Sequence, residues 1–211
     1  MTDESAAHWQ RTYGERSTGE LSWTEPVPDT SLALIREAAP GADAAIIDVG
    51  GGASRLAAEL LRRGHSDVTV ADISPAALER AMSDLGEDAG AVSWVEADVR
   101  SHDFGRRFDL WHDRAVFHFM VAPADRDGYL AVLGRSLRPG GHLILATFGP
   151  EGPTQCSGLP VRRYDTEAIS QALGADYELV SSQLIEHRTP SGRSQQLLYV
   201  HMRRAVLGRA P

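Results

Sequence analysis

The stretch Asp48-Val49-Gly50-Gly51-Gly52 closes an almost wholly apolar run from Ala44 and leads directly into the helix-forming segment Ser54 to Arg63. Such a run ending in glycines predicts a strand buried on both faces of a parallel sheet. The glycines permit positive φ and let a ligand approach the backbone, so the turn is a candidate cofactor seat. Downstream, Val68 to Ala71 predicts a second buried strand that ends at Asp72, with Ile73 beside it as a candidate cofactor contact, and Ser74-Pro75 then supplies an N-cap and a first-turn proline for a helix over Ala76 to Leu85. Val92 to Val95, Phe108 to Trp111 and Leu143 to Phe148 predict three more strands, the last entered through the turn Arg138-Pro139-Gly140-Gly141.

Strands alternating with helices imply right-handed crossovers, hence an α/β, Rossmann-like sheet with helices on both faces. The final third has a different rhythm. A loop from Gly149 to Pro160 and a helix near Thr166 to Leu173 precede two longer strands, Tyr177 to His187 and Gln195 to Arg203, which read as a C-terminal antiparallel hairpin. The expectation is a mostly parallel sheet of seven strands. Upstream, Ser31 to Ala39 predicts a helix stopped by Pro40-Gly41. Residues 1–30 are polar but carry Trp9, Tyr13 and Trp23, more aromatic surface than a disordered tail needs, and read as a cap or lid. The division expected is a cap over 1–30, a domain over 31–204 and a frayed tail over 205–211.

Composition narrows the function classes. With 211 residues the chain fits one domain, and a net charge of -8 disfavours a phosphate backbone as partner. No apolar run is long enough for a membrane span, and the acidic start Met1-Thr2-Asp3-Glu4-Ser5 lacks the pattern of a secretory signal, so a cytoplasmic protein without membrane attachment is expected. The lone Cys156 has no disulfide partner within the chain, and no Cys or His spacing suggests a metal site. Oligomeric state is not readable from the sequence.

The acidic residues at the strand ends suggest what the turn holds. Asp72 is placed to accept hydrogen bonds from ribose hydroxyls. Asp98 follows the third strand and can accept from an exocyclic adenine amine, with the Val99 amide available to a ring nitrogen. Asp48 would repel a pyrophosphate but suits an ammonium group, and Arg55 stands where a dinucleotide fingerprint carries its third glycine. S-adenosylmethionine fits these constraints; a nicotinamide dinucleotide fits them less well.

With these residues in view, the chain resembles the class I S-adenosylmethionine-dependent methyltransferases over roughly residues 44 to 148. Asp48-Val49-Gly50-Gly51-Gly52 resembles that family's first motif, Asp72 its ribose acid and Asp98 its adenine contact. Phe108-Asp109-Leu110-Trp111-His112-Asp113-Arg114 resembles its fourth strand, and Leu137 to Ile144 the turn before its fifth. His8-Trp9-Gln10-Arg11-Thr12-Tyr13-Gly14 resembles the cap of a subgroup that includes small-molecule and protein-lysine methyltransferases. The resemblance implies S-adenosylmethionine as methyl donor, S-adenosylhomocysteine as product and a cap over the methionine end. Ser54 departs from the family pattern, which often has a third glycine there, and is read as a cap for the following helix.

For acceptor chemistry, Asp113 and His118 are the candidate bases, since the fourth strand delivers them near the sheet edge; Asp113 is also a candidate cofactor contact. Each has a plainer reading, Asp113 in an ion pair with Arg114 and His118 as a satisfied core histidine. Cys156, Ser157, Tyr164 and His187 read as structural, and Arg162 with Arg163 as a solvated surface pair. The function expected is methyl transfer to a small-molecule acceptor. The alternatives are a protein-lysine methyltransferase, a nicotinamide-dependent oxidoreductase and a non-catalytic cofactor-binding module.

Overall fold

Neighbouring residues of the central strands pack to opposite sides of one sheet: Ile46, Leu110 and Ile144 join one apolar cluster, while Ile47, Trp111, Leu143 and Leu145 join another. This is what period-two alternation gives when both faces are covered, and it explains why the strand sequences are apolar throughout. The computed structural model describes residues 2–38 and 41–206. In chain order the elements are α1 (Thr2–Glu15), α2 (Asp29–Ala38), β1 (Ala45–Val49), α3 (Leu56–Arg62), β2 (Asp67–Asp72), α4 (Pro75–Leu85), β3 (Val92–Glu96) and β4 (Phe108–Arg114). There follow α5 (Pro123–Ser136), β5 (Leu137–Phe148), the short pair β6 (Gln155–Cys156) and β7 (Leu159–Pro160), α6 (Thr166–Leu173), β8 (Tyr177–Arg188) and β9 (Ser194–Arg204).

The seven-stranded sheet has the order β3-β2-β1-β4-β5-β9-β8. Pairings from β3 through β5 are parallel, and β9 runs antiparallel between β5 and β8. Helices α2, α3 and α4 cover one face through Leu32, Ile35, Leu56, Leu60 and Leu78, and α5 with α6 covers the other through Tyr129, Leu133, Ile169 and Leu173. The winding reverses between β1 and its two neighbours β2 and β4, which opens a crevice at the carboxyl ends of these strands. The expected α/β architecture is thus present with its seven strands and C-terminal antiparallel pairing.

Several boundaries differ for identifiable reasons. Strand β4 runs on to Arg114, because the polar residues His112 and Asp113 are buried and hydrogen-bonded and so continue the strand that apolar patterning ended at Trp111. The stretch Arg138 to Gly141 is no free turn; it lies within β5, where the register against β4 shifts between Phe108 and Leu110 and Gly140 takes φ 79. The loop after β5 contains the unpredicted β6–β7 hairpin, turned by Ser157 (φ 50) and Gly158 (φ 79), the left-handed pair a tight hairpin requires. The N-cap of α3 is Arg55; the Ser54 hydroxyl, one residue earlier, accepts from the Leu56 amide. Ala39 and Pro40, where the expected helix ends and its Pro40-Gly41 stop begins, and residues 207–211 of the expected tail 205–211 lie outside the described residues.

The amino-terminal segment is docked. Gln10 of α1 accepts hydrogen bonds from the Ser74 hydroxyl and the Ala76 amide at the start of α4. Arg80, one turn further along α4, donates to the carbonyls of Tyr13 and Arg16, satisfying acceptors at the end of α1. Behind the crevice, the Tyr129 hydroxyl of α5 donates to Asp113 Oδ2 at 2.6 Å and accepts from Trp111 Nε1 at 3.0 Å. Removing that hydroxyl leaves Trp111 Nε1 without an acceptor and takes from Asp113 one of its donors, so Tyr129→Phe is expected to lower the unfolding free energy by about 1–3 kcal/mol. Urea denaturation measures this; an unchanged midpoint would show that the bonds contribute nothing net.

Candidate functional site

The crevice holds two contiguous chambers that share Tyr13, Trp23, Gly50 and Arg114. The larger measures about 850 Å³ including its open mouth. Asp72 and Ile73 reach it from the end of β2; Asp98, Val99 and Arg100 reach it from the segment after β3. Trp9 and Tyr13 of α1 and Trp23 of the α1–α2 connection close over it, with Val116, Phe119, Met120 and Cys156 forming an apolar wall. The smaller chamber lies over the glycine turn and is lined by Asp48, Gly51, Ser54, Glu25, Ser31 and His112, among others.

The turn has no room for side chains. A Cβ on Gly50, whose φ is +64, would stand 2.0 Å from Val116 Cγ2. On Gly51 it would stand 2.6 Å from Asp48 Oδ2, and on Gly52, with φ +38, 2.8 Å from Asp72 Oδ2 and 2.9 Å from the Tyr13 hydroxyl oxygen. Bare backbone is what allows two carboxylates and an aromatic cap to converge on three residues.

The two acids behave differently. Asp72 accepts from the Ser74 amide at 2.9 Å, yet burial pushes its carboxyl up to about 7, with the nearby charge of Asp48 adding to the effect. Asp48 receives His112 Nδ1 on Oδ1 at 2.7 Å, while its Oδ2 is buried without a partner. At the other end, Asp98 accepts two-pronged hydrogen bonds from Arg100, which also reaches Asp125 at 3.0 Å. Burial opposes the charge of Asp98, but Arg100 holds its carboxyl below the usual carboxylate range.

The aromatic cap is a set of ring contacts: Trp9 meets Trp23 and Phe119 edge-on, at 5.7 and 5.2 Å between ring centroids, and lies tilted against Tyr13 at 6.3 Å. Its connection is clamped from the sheet. Arg114 donates to the Trp23 carbonyl at 2.6 Å and pairs with Glu25 at 2.9 Å, and His187 of β8 meets the Ser22 carbonyl at 2.7 Å. Patterning offered no route to Arg114 or Glu25 as partners, since the contact joins residues far apart in sequence.

Of the residues expected in the site, Trp9, Tyr13, Trp23, Gly50, Asp72, Ile73, Asp98 and Val99 line the larger chamber, and Asp48 and Gly51 the smaller one; Gly52 sits beneath Tyr13. Asp113 and His118 line neither chamber. The Asp113 carboxylate faces inward, taken up by Tyr129 and the amides of Val116 and Phe117, and burial raises it to about 6. It makes no pair with Arg114, whose carboxylate partner is Glu25. His118 is fully buried beside Phe119 and Phe148, with both ring nitrogens unpartnered, and burial followed by the charge of Arg114 lowers it to about 3. Arg162 and Arg163 are exposed, and Tyr164 is buried in the core. Ala115, at φ 72 on the chamber wall, is a strained non-glycine that no sequence signal marked. Among the described residues no cluster of three or more His, Cys, Asp or Glu could hold a metal, and no helix is long and apolar enough to cross a membrane.

Residues 46–141 match the family model described as a methyltransferase domain. The chain is 30% identical over 123 residues to nodulation protein S of Rhizobium tropici, covering 58% of this chain and 50% of that protein. It is 28% identical over 106 residues to a malonyl-[acyl-carrier protein] O-methyltransferase of Anoxybacillus flavithermus, covering 49% of this chain and 39% of that one. The chain therefore spans half or less of these curated relatives. Among solved structures, it superposes on the 1,6-didemethyltoxoflavin-N1-methyltransferase of Burkholderia thailandensis, solved with S-adenosylhomocysteine bound, with TM-score 0.70 and 22% identity over 97% of this chain and 91% of that chain. Residues 46–141 are thus similar to the methyltransferase-domain family, within a chain that has the Rossmann-like fold of S-adenosylmethionine-dependent methyltransferases.

Proposed function

We propose that the chain is an S-adenosylmethionine-dependent methyltransferase that acts on a small-molecule acceptor, with residues 1–30 as its cap and 31–204 as its catalytic domain. The observation that carries this reading is the pair of joined chambers, one with ribose- and adenine-type acceptors at Asp72 and Asp98, the other with the unpartnered buried oxygen of Asp48 over a cradle that any Cβ would fill. An α-amino acid end finds both an acid, Asp48, and a guanidinium, Arg114, in the smaller chamber.

When bound, the sulfonium supplies an already activated methyl group. The chain's task is then to orient the two reactants and keep water out. Asp72 accepts from the ribose hydroxyls, and Asp98 with the Val99 amide reads the adenine edge. Trp9, Trp23 and Phe119 surround the cationic end with aromatic surface. The wall formed by Val116, Phe119, Met120 and Cys156 is apolar, and burial pushes the Cys156 thiol up to about 11, so it stays protonated near neutrality. With Asp113 and His118 both sealed away from the chamber, no general base is assigned. The acceptor atom then attacks the methyl carbon with its own lone pair as the methyl–sulfur bond breaks, and a proton carried on that nitrogen, oxygen or sulfur is released to solvent, which suits a compact molecule whose acceptor atom is already nucleophilic.

Calorimetric titration of the full chain with S-adenosylmethionine and with NADH, followed by an acceptor panel read by S-adenosylhomocysteine release, tests the proposal. Binding of S-adenosylmethionine and turnover on small molecules is the expected result. Turnover only on a lysine peptide or a carrier-bound acyl group would overturn the acceptor assignment. NADH binding in its place, or cofactor binding with no turnover on any acceptor, would overturn the enzyme reading.

Asp72 gives a second test, through pH. In the unfolded chain its carboxyl titrates near 4, in the folded protein about 7. Between those values the folded protein holds a proton that the unfolded chain has released, so this group's contribution to stability falls as pH rises through the window. Asp72→Asn, which keeps an acceptor for the Ser74 amide, is expected to raise Tm of the ligand-free protein at pH 8 by a few degrees, a gain that shrinks toward pH 5. The same variant is expected to lose about tenfold in cofactor affinity. Thermal scans at both pH values decide the first part; an equal gain at both would show that the charge of Asp72 is not its origin.

A further inference from the structure

Beneath the glycine turn lies a chain of buried polar contacts that the proposed chemistry does not use. His112 on β4 stands in register with Asp48 on β1 and places Nδ1 2.7 Å from Asp48 Oδ1. Its other nitrogen, Nε2, lies 2.9 Å from the hydroxyl of Ser31, in the first turn of α2. Asp48 and His112 are each 2% exposed and Ser31 not at all. A buried carboxylate normally satisfies both oxygens, because an unmet acceptor in low dielectric is costly. Here one oxygen is held and the other, Oδ2, has no partner.

The arrangement looks like a serine–histidine–aspartate triad, but the serine is sealed in the interior, so it does not serve as a nucleophile. Read in the opposite direction it has a clear physical role. The Ser31 hydroxyl, by bonding Nε2, fixes the imidazole's orientation; the imidazole in turn directs its Nδ1 proton at Oδ1 and fixes the carboxylate's plane. That leaves Oδ2 as the free acceptor beside Gly51, in the smaller chamber. A carboxylate free to rotate would offer no such fixed acceptor.

Resting on the cofactor reading above, we propose that Ser31 and His112 are positioning residues that set the preference of this site for a ligand carrying an α-ammonium group, acting through Asp48. They touch neither the nucleoside end nor the methyl-accepting wall, so their effect is confined to the amino-acid end of the ligand.

Two probes isolate that end. S-adenosylhomocysteine carries the α-amino acid; 5′-methylthioadenosine has the same nucleoside and thioether without it. Their affinities for the full chain are measured by calorimetry for the wild type, His112→Leu, His112→Asn and Ser31→Ala, with folding checked by near-ultraviolet circular dichroism. The expected result is about a tenfold or greater loss of S-adenosylhomocysteine affinity in His112→Leu, with 5′-methylthioadenosine affinity unchanged. His112→Asn, whose amide N–H stands near the position of Nδ1, recovers most of the preference, and Ser31→Ala falls between. A folded His112→Leu that loses both ligands in parallel, or neither, overturns the positioning role. Should His112→Leu fail to fold, Ser31→Ala must still lower the ratio of the two affinities, and an unchanged ratio overturns the role equally. Failure of the wild type to bind either ligand overturns the cofactor reading itself, a different result from wild-type preference that the substitutions leave intact.

Discussion

At Gly50 a single methyl group would stand 2.0 Å from the Val116 side chain, and at Gly51 2.6 Å from Asp48 Oδ2. The absence of side-chain atoms across three consecutive residues lets the end of β1, the end of β2, the segment after β4 and the aromatic cap come within contact of one point. Every other feature of the crevice assumes that closeness. Asp72 lies near enough to Asp48 for each to oppose the other's charge, and Tyr13 lies directly over Gly52. Two acids packed this tightly suit a cation-bearing guest, since their repulsion is relieved either by a proton on Asp72 or by the arrival of positive charge.

Around this centre the polar groups form long-range ties. Asp48 connects through His112 to Ser31; Arg114 connects Tyr199 of β9 to Trp23 and Glu25; His187 of β8 takes the Ser22 carbonyl. The cap is consequently tethered to β4 and β8 as well as docked on α4 through Gln10 and Arg80. Its aromatic residues are held over the chamber by hydrogen bonds to backbone carbonyls, which are insensitive to the identity of the side chains at those positions.

The strands, their order of appearance, the glycine turn and the acids at the strand ends were legible because each rests on local pattern: apolar runs of strand length, glycine at forced φ, a serine-proline helix start. The end of β4 was not, because His112 and Asp113 are polar yet buried, and polarity alone reads as exposure. Assigning Asp113 and His118 to acceptor chemistry came from the right edge of the sheet but could not give the direction of a side chain: Asp113 turns toward Tyr129, and His118 into a wall of phenylalanines. The partners of Asp48 were equally out of reach, since His112 and Ser31 stand 64 and 81 positions from the residues they bond. Local physics locates the elements that meet; which polar atoms pair at the meeting is a property of the packed whole.

The place of β9 in the sheet has a consequence for synthesis. It follows β8 in sequence yet lies between β5 and β8, so β8 has no neighbour to pair with until β9 has been made. His187, carried on β8, and Tyr199, carried on β9, are two of the anchors on which the cap connection and Arg114 rest. The nucleoside half of the crevice, built from β1 to β4, has its strands in hand early, whereas the part of the clamp carried by His187 waits for β9 to pair with β8. Before residue 194 is made, the cap is docked on α4 and tied to Arg114, and what it lacks is the support that β9 gives to Arg114 through Tyr199 and to β8 through the sheet.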